Sequence, residues 1–356
     1  MTKGQVANPP GQVNLKSLAE YLELSQTTVS LVLNNSPSAK SIPQETRDRV
    51  VEAARRLNYR PNYFARSLRQ RRSMTVGVLA SDLSEGYFTR VMSGVVQELN
   101  LSHYFFFTTC HYWNKDLMEK YPRMLVDRAV DGFLLLNTSL PDVTVPVPVV
   151  GISVHSGTPK DVTNIVLDHD IAAMLALKHL YDLGHRKIAF MRGPRAIPDS
   201  EYRWSGIQKA AKELELKANP MLEVRLDASG WPMKTGHHPM DPQISYRPTC
   251  ELLARTRDFT AMFCFNDMAA MGAIRAIKDA GLDVPRDISV VGFDDTTSAA
   301  FSVPSLTTVH QPLFEMGQRG AQILLAKIAN RDQEYPSEVV MRPELIVRES
   351  SGPVRA

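Results

Sequence analysis

A stretch of short polar side chains near the N-terminus has the residue types that bind DNA bases. Ser25, Gln26, Thr27 and Ser30 offer hydrogen-bond donors and acceptors within two helical turns. Such side chains reach base edges or phosphates when their helix lies in the major groove. The alternative is an exposed helix face that only contacts water. The basic stretch over residues 63–72 favours the nucleic-acid interpretation.

The sequence lacks residue patterns typical of a catalytic or metal centre. It has no G-x-S-x-G elbow, no P-loop and no G-x-G-x-x-G after the first predicted core strand, so we predict neither an enzyme nor a cofactor. The adjacent His237 and His238 would share one metal ion poorly and have no flanking carboxylate or cysteine pattern. We therefore predict no metal site. Residues 230–243 are interpreted as an inserted loop, either solvated or covering a cleft with Trp231.

Three short amphipathic helices are predicted to position the polar stretch. Asn14 and Ser25 suit the N-caps of the first two helices, and Pro43 suits the first turn of the third. The apolar stripes are Leu15, Leu18, Ala19 and Leu22, then Val29, Val32 and Leu33, then Val50, Val51, Ala54 and Leu57. A tight junction between the first two helices makes a helix-turn-helix with the polar stretch facing outward.

The charge of the chain is unevenly divided. The 356 residues carry a net charge of +3, but the first 73 hold 12 Lys and Arg against 5 Asp and Glu, a net +7, and the other 283 hold a net −4. This asymmetry predicts a polyanionic partner for one end only. No stretch has the length and hydropathy of a signal peptide or a membrane span, and the scattered Cys110, Cys250 and Cys264 suit reduced structural thiols. A cytoplasmic location without membrane attachment is expected.

After Ser73 the pattern changes to β-rich runs that alternate with amphipathic helices. Predicted strands are 75–80, 104–109, 132–136, 147–152, 187–191, 261–265 and 288–293, and predicted helices are 89–99, 171–183, 204–214, 268–280 and 313–329. This alternation is typical of α/β folds with parallel sheets. Because the length exceeds what one sheet usually carries, we predict two lobes with a cleft between them.

Several motifs in one order make the chain similar to the lac repressor (LacI) family. They include LSQTTVSLVLN at 24–34, LNYRPN at 57–62, ARSL at 65–68, NDMA at 266–269, DISVVGFDD at 287–295 and LTTV at 306–309. The resemblance covers residues 13–350. It implies a homodimeric transcriptional regulator, a repressor on this interpretation, whose affinity for double-stranded operator DNA on the nucleoid responds to a small molecule, expected to be a sugar or sugar derivative. A soluble sugar-binding receptor is the alternative, but such a receptor would need a signal sequence and would not carry a basic helix-turn-helix.

The resemblance also implies a domain organisation. A disordered tail is expected over 1–12, the helix-turn-helix domain over 13–60, a hinge over 61–73 and an effector-binding and dimerisation core with a periplasmic-binding-protein-like fold over 74–356. Within the core, one lobe is expected to take about 74–165 and 310–335, and the other about 166–309 and 336–350.

The family's DNA contacts carry over to the second helix. Gln26, Thr27 and Leu31 match its base contacts, and Ser25, Thr28 and Asn34 match phosphate contacts. Leu31 stands where an Arg is usual, so the contact to a guanine is replaced at most by an apolar contact to a thymine methyl group. We therefore expect an operator that differs from the family's common half-site at that base pair. Pro43 replaces a capping hydroxyl residue, which removes one expected phosphate contact.

The family's hinge helix corresponds to residues 63–69. Leu68 matches the apolar wedge that opens the minor groove, Ala65 the close contact between paired helices, and Asn62 and Arg69 backbone or minor-groove contacts. The alternative is a flexible tether with Leu68 docked on the core. We predict that Leu68→Ala weakens operator binding in a gel-shift titration and leaves dimerisation intact; unchanged affinity would refute the wedge.

The resemblance places effector contacts at strand ends, where open α/β sheets bind ligands. The expected residues are Asp82, Tyr87, Phe88 and Ser153 from one lobe, Arg203, Asn266 and Asp294 from the other, and Gln311 near a crossover. Carboxylate, guanidinium and amide groups pair with hydroxyls, and aromatic rings cover the C–H faces of sugars. As alternatives, Arg203 and Asp294 form a salt bridge between the lobes, Asn266 and Asp267 cap the following helix, and Tyr87 and Phe88 are core residues.

Overall fold

The computed structural model describes residues 13–59, 72–82, 86–138, 145–154, 162–195, 197–226 and 243–355, and the chain divides into two compact units after Ser73. The expected tail, residues 61–71 of the expected hinge and most of the inserted loop therefore lie outside the described residues. In the N-terminal unit, which we call the headpiece, the helices are α1 (Leu15–Leu22), α2 (Gln26–Leu33) and α3 (Gln44–Arg56), with a 3₁₀ turn at Pro37–Ser41.

Local capping explains where the headpiece helices begin. Asn14 and Ser17 form a capping box at α1, and the Ser25 hydroxyl accepts a hydrogen bond of 3.0 Å from the Thr28 amide at α2. Pro43 directly precedes α3 instead of lying in its first turn, and it supplies no side-chain cap. Leu18, Leu22, Val29, Val32 and Val50 form the core of this unit. Val51 is exposed and Ala53 is buried in its place.

The first lobe of the C-terminal unit is built on a six-stranded parallel sheet. Its strands are β1 (Thr75–Ala80), β2 (Phe105–Cys110), β3 (Gly132–Leu136), β4 (Val149–Ile152), β5 (Thr163–Leu167) and β11 (Glu338–Met341), in the order β11-β5-β4-β3-β1-β2. Helices α4 (Tyr87–Leu101) and α11 (Leu313–Ala329) pack on one another and on this sheet, and α5 (Lys115–Asp127) follows β2.

The second lobe has a six-stranded mixed sheet. Its strands are β6 (Ile188–Arg192), β7 (Glu223–Arg225), β8 (Ala261–Phe263), β9 (Ser289–Asp294), β10 (Thr307–His310) and β12 (Glu344–Ile346), in the order β12-β10-β9-β8-β6-β7, with only the β10–β12 pair antiparallel. Its helices are α6 (His169–Asp182), α7 (Asp199–Glu213), α8 (Gln243–Arg255), α9 (Asp267–Asp279) and the short α10 (Thr297–Phe301).

The chain passes between the lobes three times, after β5, after β10 and after β11. The expectation that 336–350 belongs wholly to the second lobe is wrong, because β11 pairs in parallel with β5 in the first sheet, with Val340 opposite Val166. Only the residues after β11 return to the second sheet. The α/β architecture with two parallel-sheet lobes is confirmed.

Five of the described strands and three of the described core helices were not predicted from the sequence. The strands are β5, β7 and β10–β12, and the helices are α5, α8 and α10. Strands β7 and β10–β12 have only three or four residues each, whereas β5 has five residues that are mostly buried. Helices α5 and α8 contain Pro122 and Pro248, which obscure a helical pattern. In the part of the chain that is described, no helix is long and apolar enough to cross a membrane.

Candidate DNA-binding surface and effector cleft

The outer face of α2 presents part of the polar stretch to solvent. Ser25, Gln26 and Thr27 are exposed, and Thr28 and Leu31 are half-buried. The Ser25 hydroxyl lies 2.8 Å from the Thr28 hydroxyl and also accepts from the Thr28 amide as the N-cap. These hydrogen bonds stabilise the first turn of α2. Gln26 and Thr27 are thus the exposed side chains whose polar groups face outward at the start of the helix.

Ser30 does not face outward. Its side chain is buried, and Asn34 at the end of α2 folds back to donate through Nδ2 to the Ser30 carbonyl at 2.7 Å and to its hydroxyl at 3.1 Å. The expectation that Ser30 faces outward is wrong, because α2 turns this position toward the rest of the headpiece. Its contact with bases or phosphates stays a prediction. Asn34 itself remains exposed at the helix end, with its amide engaged.

The predicted hinge residues cannot be compared with the structure. Asn62, Ala65, Leu68 and Arg69 lie outside the described residues, and so do His237 and His238. Among the residues that are described, no group of three His, Cys, Asp or Glu could hold a metal ion.

Most of the predicted effector residues line one cleft between the two lobes of the core. Asp82, Tyr87 and Phe88 come from the first lobe, and Arg203, Asn266 and Asp294 from the second. The parallel sheets bring these residues together because the carboxyl ends of their strands face the same space. Tyr87 and Phe88 also pack against the first-lobe core. These two rings are therefore both core residues and part of the cleft wall.

Ser153 and Gln311 do not line the cleft directly. Ser153 is buried at the end of β4 next to Tyr87. Gln311 is buried at the crossover after β10 and donates through Nε2 to Asp294 Oδ1 at 2.6 Å. Both residues therefore stand behind side chains that do face the cleft, and Gln311 fixes the orientation of the Asp294 carboxylate.

Asp294 combines a strained backbone with a buried carboxylate. Its φ of +119° lies in the region that favours glycine, and such strain is concentrated at functional sites. Burial raises the pKa of Asp294 well above its usual range, Arg203 opposes that rise, and the neighbouring Asp267 adds to it. The Asp294 carboxyl group therefore takes up a proton at higher pH than an exposed aspartate does.

The Arg203 guanidinium packs over the rings of Phe265 and Phe293 on the second-lobe side of the cleft. Its guanidinium is 3.5 Å from the centre of the Phe293 ring and donates through Nη1 to the Phe265 carbonyl. Nη2 is 3.9 Å from Asp199 Oδ2. A salt bridge between the lobes is not formed by Arg203 and Asp294, because α7 and β9 both belong to the second lobe.

Asn266 and the adjacent Asp267 have different roles. Asn266 caps α9 by accepting from the Ala269 amide at 2.8 Å, and it also lines the cleft. Asp267 does not cap its helix. Its carboxylate accepts from the Thr296 amide at 2.7 Å, the Thr296 hydroxyl at 3.0 Å and the Thr308 hydroxyl at 2.5 Å, which joins α9 to the ends of β9 and β10.

The structure adds six cleft residues that the sequence analysis did not select. They are Ser81, Leu136, Asn137, Ile197, Asp199 and Phe265. Asp199 was missed because helix α7 was expected to begin only at Trp204, whereas it begins at Asp199, one turn before Arg203. An acidic residue four positions before a helical arginine was the available signal.

Comparison with known proteins agrees with this organisation. Residues 14–62 match the model of bacterial regulatory proteins of the lacI family, and residues 177–351 match the periplasmic binding protein-like domain. The HTH-type transcriptional repressor PurR of Haemophilus influenzae (strain KW20 Rd) is 30% identical over 344 residues, covering 94% of this chain and 98% of the relative. PurR of Pasteurella multocida (strain Pm70) is 31% identical over 351 residues, with 94% and 98% covered.

Solved structures extend the likeness to three dimensions. The lac repressor dimer bound to operator and the anti-inducer ONPF has a TM-score of 0.83 at 26% identity and covers 96% of this chain and 99% of that chain. The transcriptional regulator CelR in complex with cellobiose has a TM-score of 0.69 at 27% identity, with 96% and 100% covered.

A helix-turn-helix headpiece and a two-lobed core with a polar cleft define the class: a DNA-binding transcriptional regulator that responds to a small molecule. The chain belongs to the LacI family of bacterial regulatory proteins.

Proposed function

We propose that the chain works as a homodimeric repressor whose headpiece contacts operator DNA through Gln26, Thr27 and Leu31, with Ser25 and Thr28 near phosphates. The observation that carries this proposal is the exposed polar start of α2 on a capped helix-turn-helix. The lac repressor dimer bound to operator, similar over 96% of this chain, supports the same use of the headpiece. Because its partner is chromosomal DNA, the protein acts in the cytoplasm, at the nucleoid.

The effector of the proposed repressor is a sugar or sugar derivative that binds in the cleft. The walls combine Asp82, Asp294 and Arg203 with the amide of Asn266 and the ring of Phe88, which suits hydroxyl groups and apolar ring faces together. The CelR complex with cellobiose and a LacI family regulator from Enterococcus faecium with bound ribose, both 27% identical to this chain, support a carbohydrate.

Effector and operator are coupled through lobe movement. Three chain crossings connect the lobes, and the cleft takes side chains from both, so a ligand that contacts both walls changes the balance between open and closed arrangements. Movement of the first lobe, whose β1 begins at Thr75, changes the geometry at the start of the core. Operator affinity then depends on whether the cleft is filled.

A selection of binding sites from random duplex DNA tests the DNA-binding half of the proposal. The full-length protein is expected to recover a palindromic site and to bind it with an affinity that falls steeply with salt, because each phosphate contact releases counterions. Gln26→Ala is expected to weaken binding, whereas Gln333→Ala, at an exposed glutamine of the C-terminal unit, serves as the matched control. Recovery of no preferred sequence would contradict the proposal.

Leu31 is expected to set the base preference at one position of each half-site. Its half-buried side chain offers only apolar contact, so Leu31→Ala should relax a preference for thymine there at a cost of about 1 kcal/mol or less, below the 1–3 kcal/mol of a bidentate contact. Competition titrations with operators changed at that base pair measure the effect. A guanine at that position whose selection is unaffected by Leu31→Ala would refute this role.

A further inference from the structure

Two consecutive residues at one crossing between the lobes bind two consecutive residues of the cleft region. At the end of β10, His310 donates through Nδ1 to Asp295 Oδ2 at 2.9 Å, and Gln311 donates through Nε2 to Asp294. Asp294 ends β9 and Asp295 follows it, with φ of +119° and +55°, a backbone geometry that the surrounding contacts must maintain. After Gln311 the chain leaves the second sheet and enters α11 of the first lobe. The crossing therefore holds the cleft wall at Asp294.

Acidic groups from three elements act on His310. Asp295 is its hydrogen-bond partner, Glu344 of β12 is opposite His310 in the register of the sheet, and Glu315 belongs to the first turn of α11 in the first lobe. The hydrogen bond to Asp295 raises the pKa of His310, partial burial opposes the rise, and the charges of Asp295, Glu344 and Glu315 add to it. The ring therefore stays protonated at a higher pH than an exposed histidine does.

Two more titratable groups lie on elements that pack against β10. Arg348, beyond β12, donates through Nη2 to Asp295 Oδ1 at 2.7 Å, so it shares this carboxylate with His310. Helix α6 begins with His169, whose ring lies 3.5 Å from Asp199. Although partial burial opposes them, the hydrogen bonds from His310 and Arg348 lower the pKa of Asp295. Asp295 is therefore ionised at neutral pH and attracts an imidazolium ring.

The two lobes also contact one another in the observed arrangement. Trp113, in the turn between β2 and α5 of the first lobe, packs against the hydrophobic core of the second lobe. At the start of α4, a Cβ added to Gly86 would meet Thr296 Cγ2 at 2.8 Å, so these two segments lie close together. Separation of the lobes has to break both contacts, and their backbone amides then report on opening.

From this geometry we propose that His310 forms a proton-dependent link between the lobes, in which the imidazolium ring attracts Asp295 of the second lobe and Glu315 of the first and so stabilises the observed contact between them. The inference rests on the proposed effector-binding function, because the link regulates the cleft that this function uses. A histidine whose folded pKa is raised stabilises the folded arrangement at acid pH, and this contribution is lost as pH rises through the folded pKa. Acidification therefore favours the arrangement in which both walls of the cleft can contact one ligand.

Hydrogen–deuterium exchange of the full-length protein tests this link without any effector. His310→Asn keeps an amide donor near the position of Nδ1 but cannot become positively charged. At pH 6 the variant is expected to exchange at least about threefold faster than the parent protein in peptides that contain Gly86, Trp113 or Thr296. At pH 9, after the ring of the parent protein has lost its proton, the two proteins should exchange equally. Equal rates at pH 6, or the same excess at both pH values, overturn the inference.

The comparison at equal pH removes two other pH effects. The intrinsic rate of amide exchange is the same in both proteins, and Asp294 is present in both. His103→Asn is the matched control, since His103 is exposed after α4 and its φ of +57° is one that asparagine tolerates. This control should exchange like the parent protein at both pH values. Exchange as fast as that of His310→Asn would overturn the inference.

A histidine titration gives a second, independent measurement. In the protein labelled with ¹³C-histidine, the NMR resonance that is absent from His310→Asn is expected to titrate above the usual histidine pKa of about 6.5. A pKa at or below that value would contradict the link. If His310→Asn does not fold, His310→Gln takes its place in both measurements.

These results are distinguishable from failure of the proposed function. A protein that selects its operator, but whose exchange rates do not depend on His310, keeps the proposed function and loses the link. A protein that binds no preferred DNA sequence loses the repressor function, whatever the exchange of the core gives.

Discussion

Replacing Arg203 with methionine is expected to lower the free energy of unfolding by about 3 kcal/mol and to abolish the response of operator binding to effector. Methionine keeps much of the length that packs on Phe293 but removes the guanidinium. Asp199 then loses a guanidinium that lies 3.9 Å away, and Asp294 loses the positive charge that opposes its raised pKa. Removing the cation from buried carboxylates costs about 3–5 kcal/mol. We expect a loss at the lower end of this range, because Asp294 can take up a proton and so lose its charge.

The size of this loss should depend on pH. Without Arg203 the pKa of Asp294 in the folded protein rises further above its value in the unfolded chain. A carboxyl group with a raised folded pKa destabilises the protein above its unfolded pKa. In the parent protein burial raises the pKa of Asp294 to about 8, so below that pH the carboxyl group is protonated in both folded proteins. The deficit of Arg203→Met relative to the parent protein is therefore expected to be smallest in acid and to grow as pH rises through about 8. Urea titrations at several pH values measure it.

Arg192 provides a matched control for Arg203. Its guanidinium also lies over an aromatic ring, 4.2 Å from the centre of Trp204, but it pairs with Glu201 and Glu223 outside the cleft lining. Arg192→Met should cost about 1 kcal/mol, as expected for an ion pair that is partly exposed and lies 3.4–3.5 Å apart, and retain the effector response. If both variants lose the response equally, the cleft role of Arg203 is wrong.

Gly317→Ala is expected to destabilise the core by about 2–3 kcal/mol. A Cβ at Gly317 would lie 2.0 Å from the Val91 carbonyl oxygen, and the reciprocal Gly94 would meet the Phe314 carbonyl oxygen at 1.9 Å. Helices α4 and α11 therefore cross with their backbones in contact, and alanine forces them apart. The gain of about 1 kcal/mol in helix propensity offsets only part of that overpacking.

Gly320→Ala on the same helix is the control for Gly317→Ala. It distinguishes the effect of the backbone contact at Gly317 from the effect of any alanine substitution in this helix. A Cβ there would meet the Ile152 Cδ1 atom at 2.7 Å, a side-chain end that can rotate away. We expect a loss of no more than about 1 kcal/mol, because the helix gains propensity at the same time. Differential scanning calorimetry of both variants gives the comparison. Equal melting temperatures would contradict a backbone contact at Gly317.

The elements that carry short-range signals were predictable from the sequence. Asn14 and Ser25 were expected to cap α1 and α2 and do so, because an N-cap depends on a side chain and an amide three residues away. Helix α11 was expected over 313–329 and has those bounds, since its apolar stripe repeats over several turns. Strands β1 and β3, whose residues are all buried, were also predicted with their observed bounds.

Features that depend on long-range pairing were not predictable in the same way. β11 alternates between exposed and half-buried residues, and only its pairing with β5 assigns it to the first lobe. Ser30 was expected to face DNA, but packing of α2 and the return of Asn34 bury it. Asp267 was considered a cap, whereas the folded chain brings Thr296 and Thr308 to its carboxylate.

By itself, the sequence determined the basic headpiece, the polar start of its second helix and the two-lobed α/β core, because charge, capping and hydropathy patterns act over a few residues. Only the tertiary structure placed Asp199 in the cleft beside Asp294, since α7 and β9 are far apart in the chain and meet through the second sheet. Tertiary packing likewise places the Arg203 guanidinium over the Phe293 ring and within hydrogen-bonding distance of the Phe265 carbonyl. The set of side chains that lines the cleft arises from that meeting of distant segments, which no local pattern encodes.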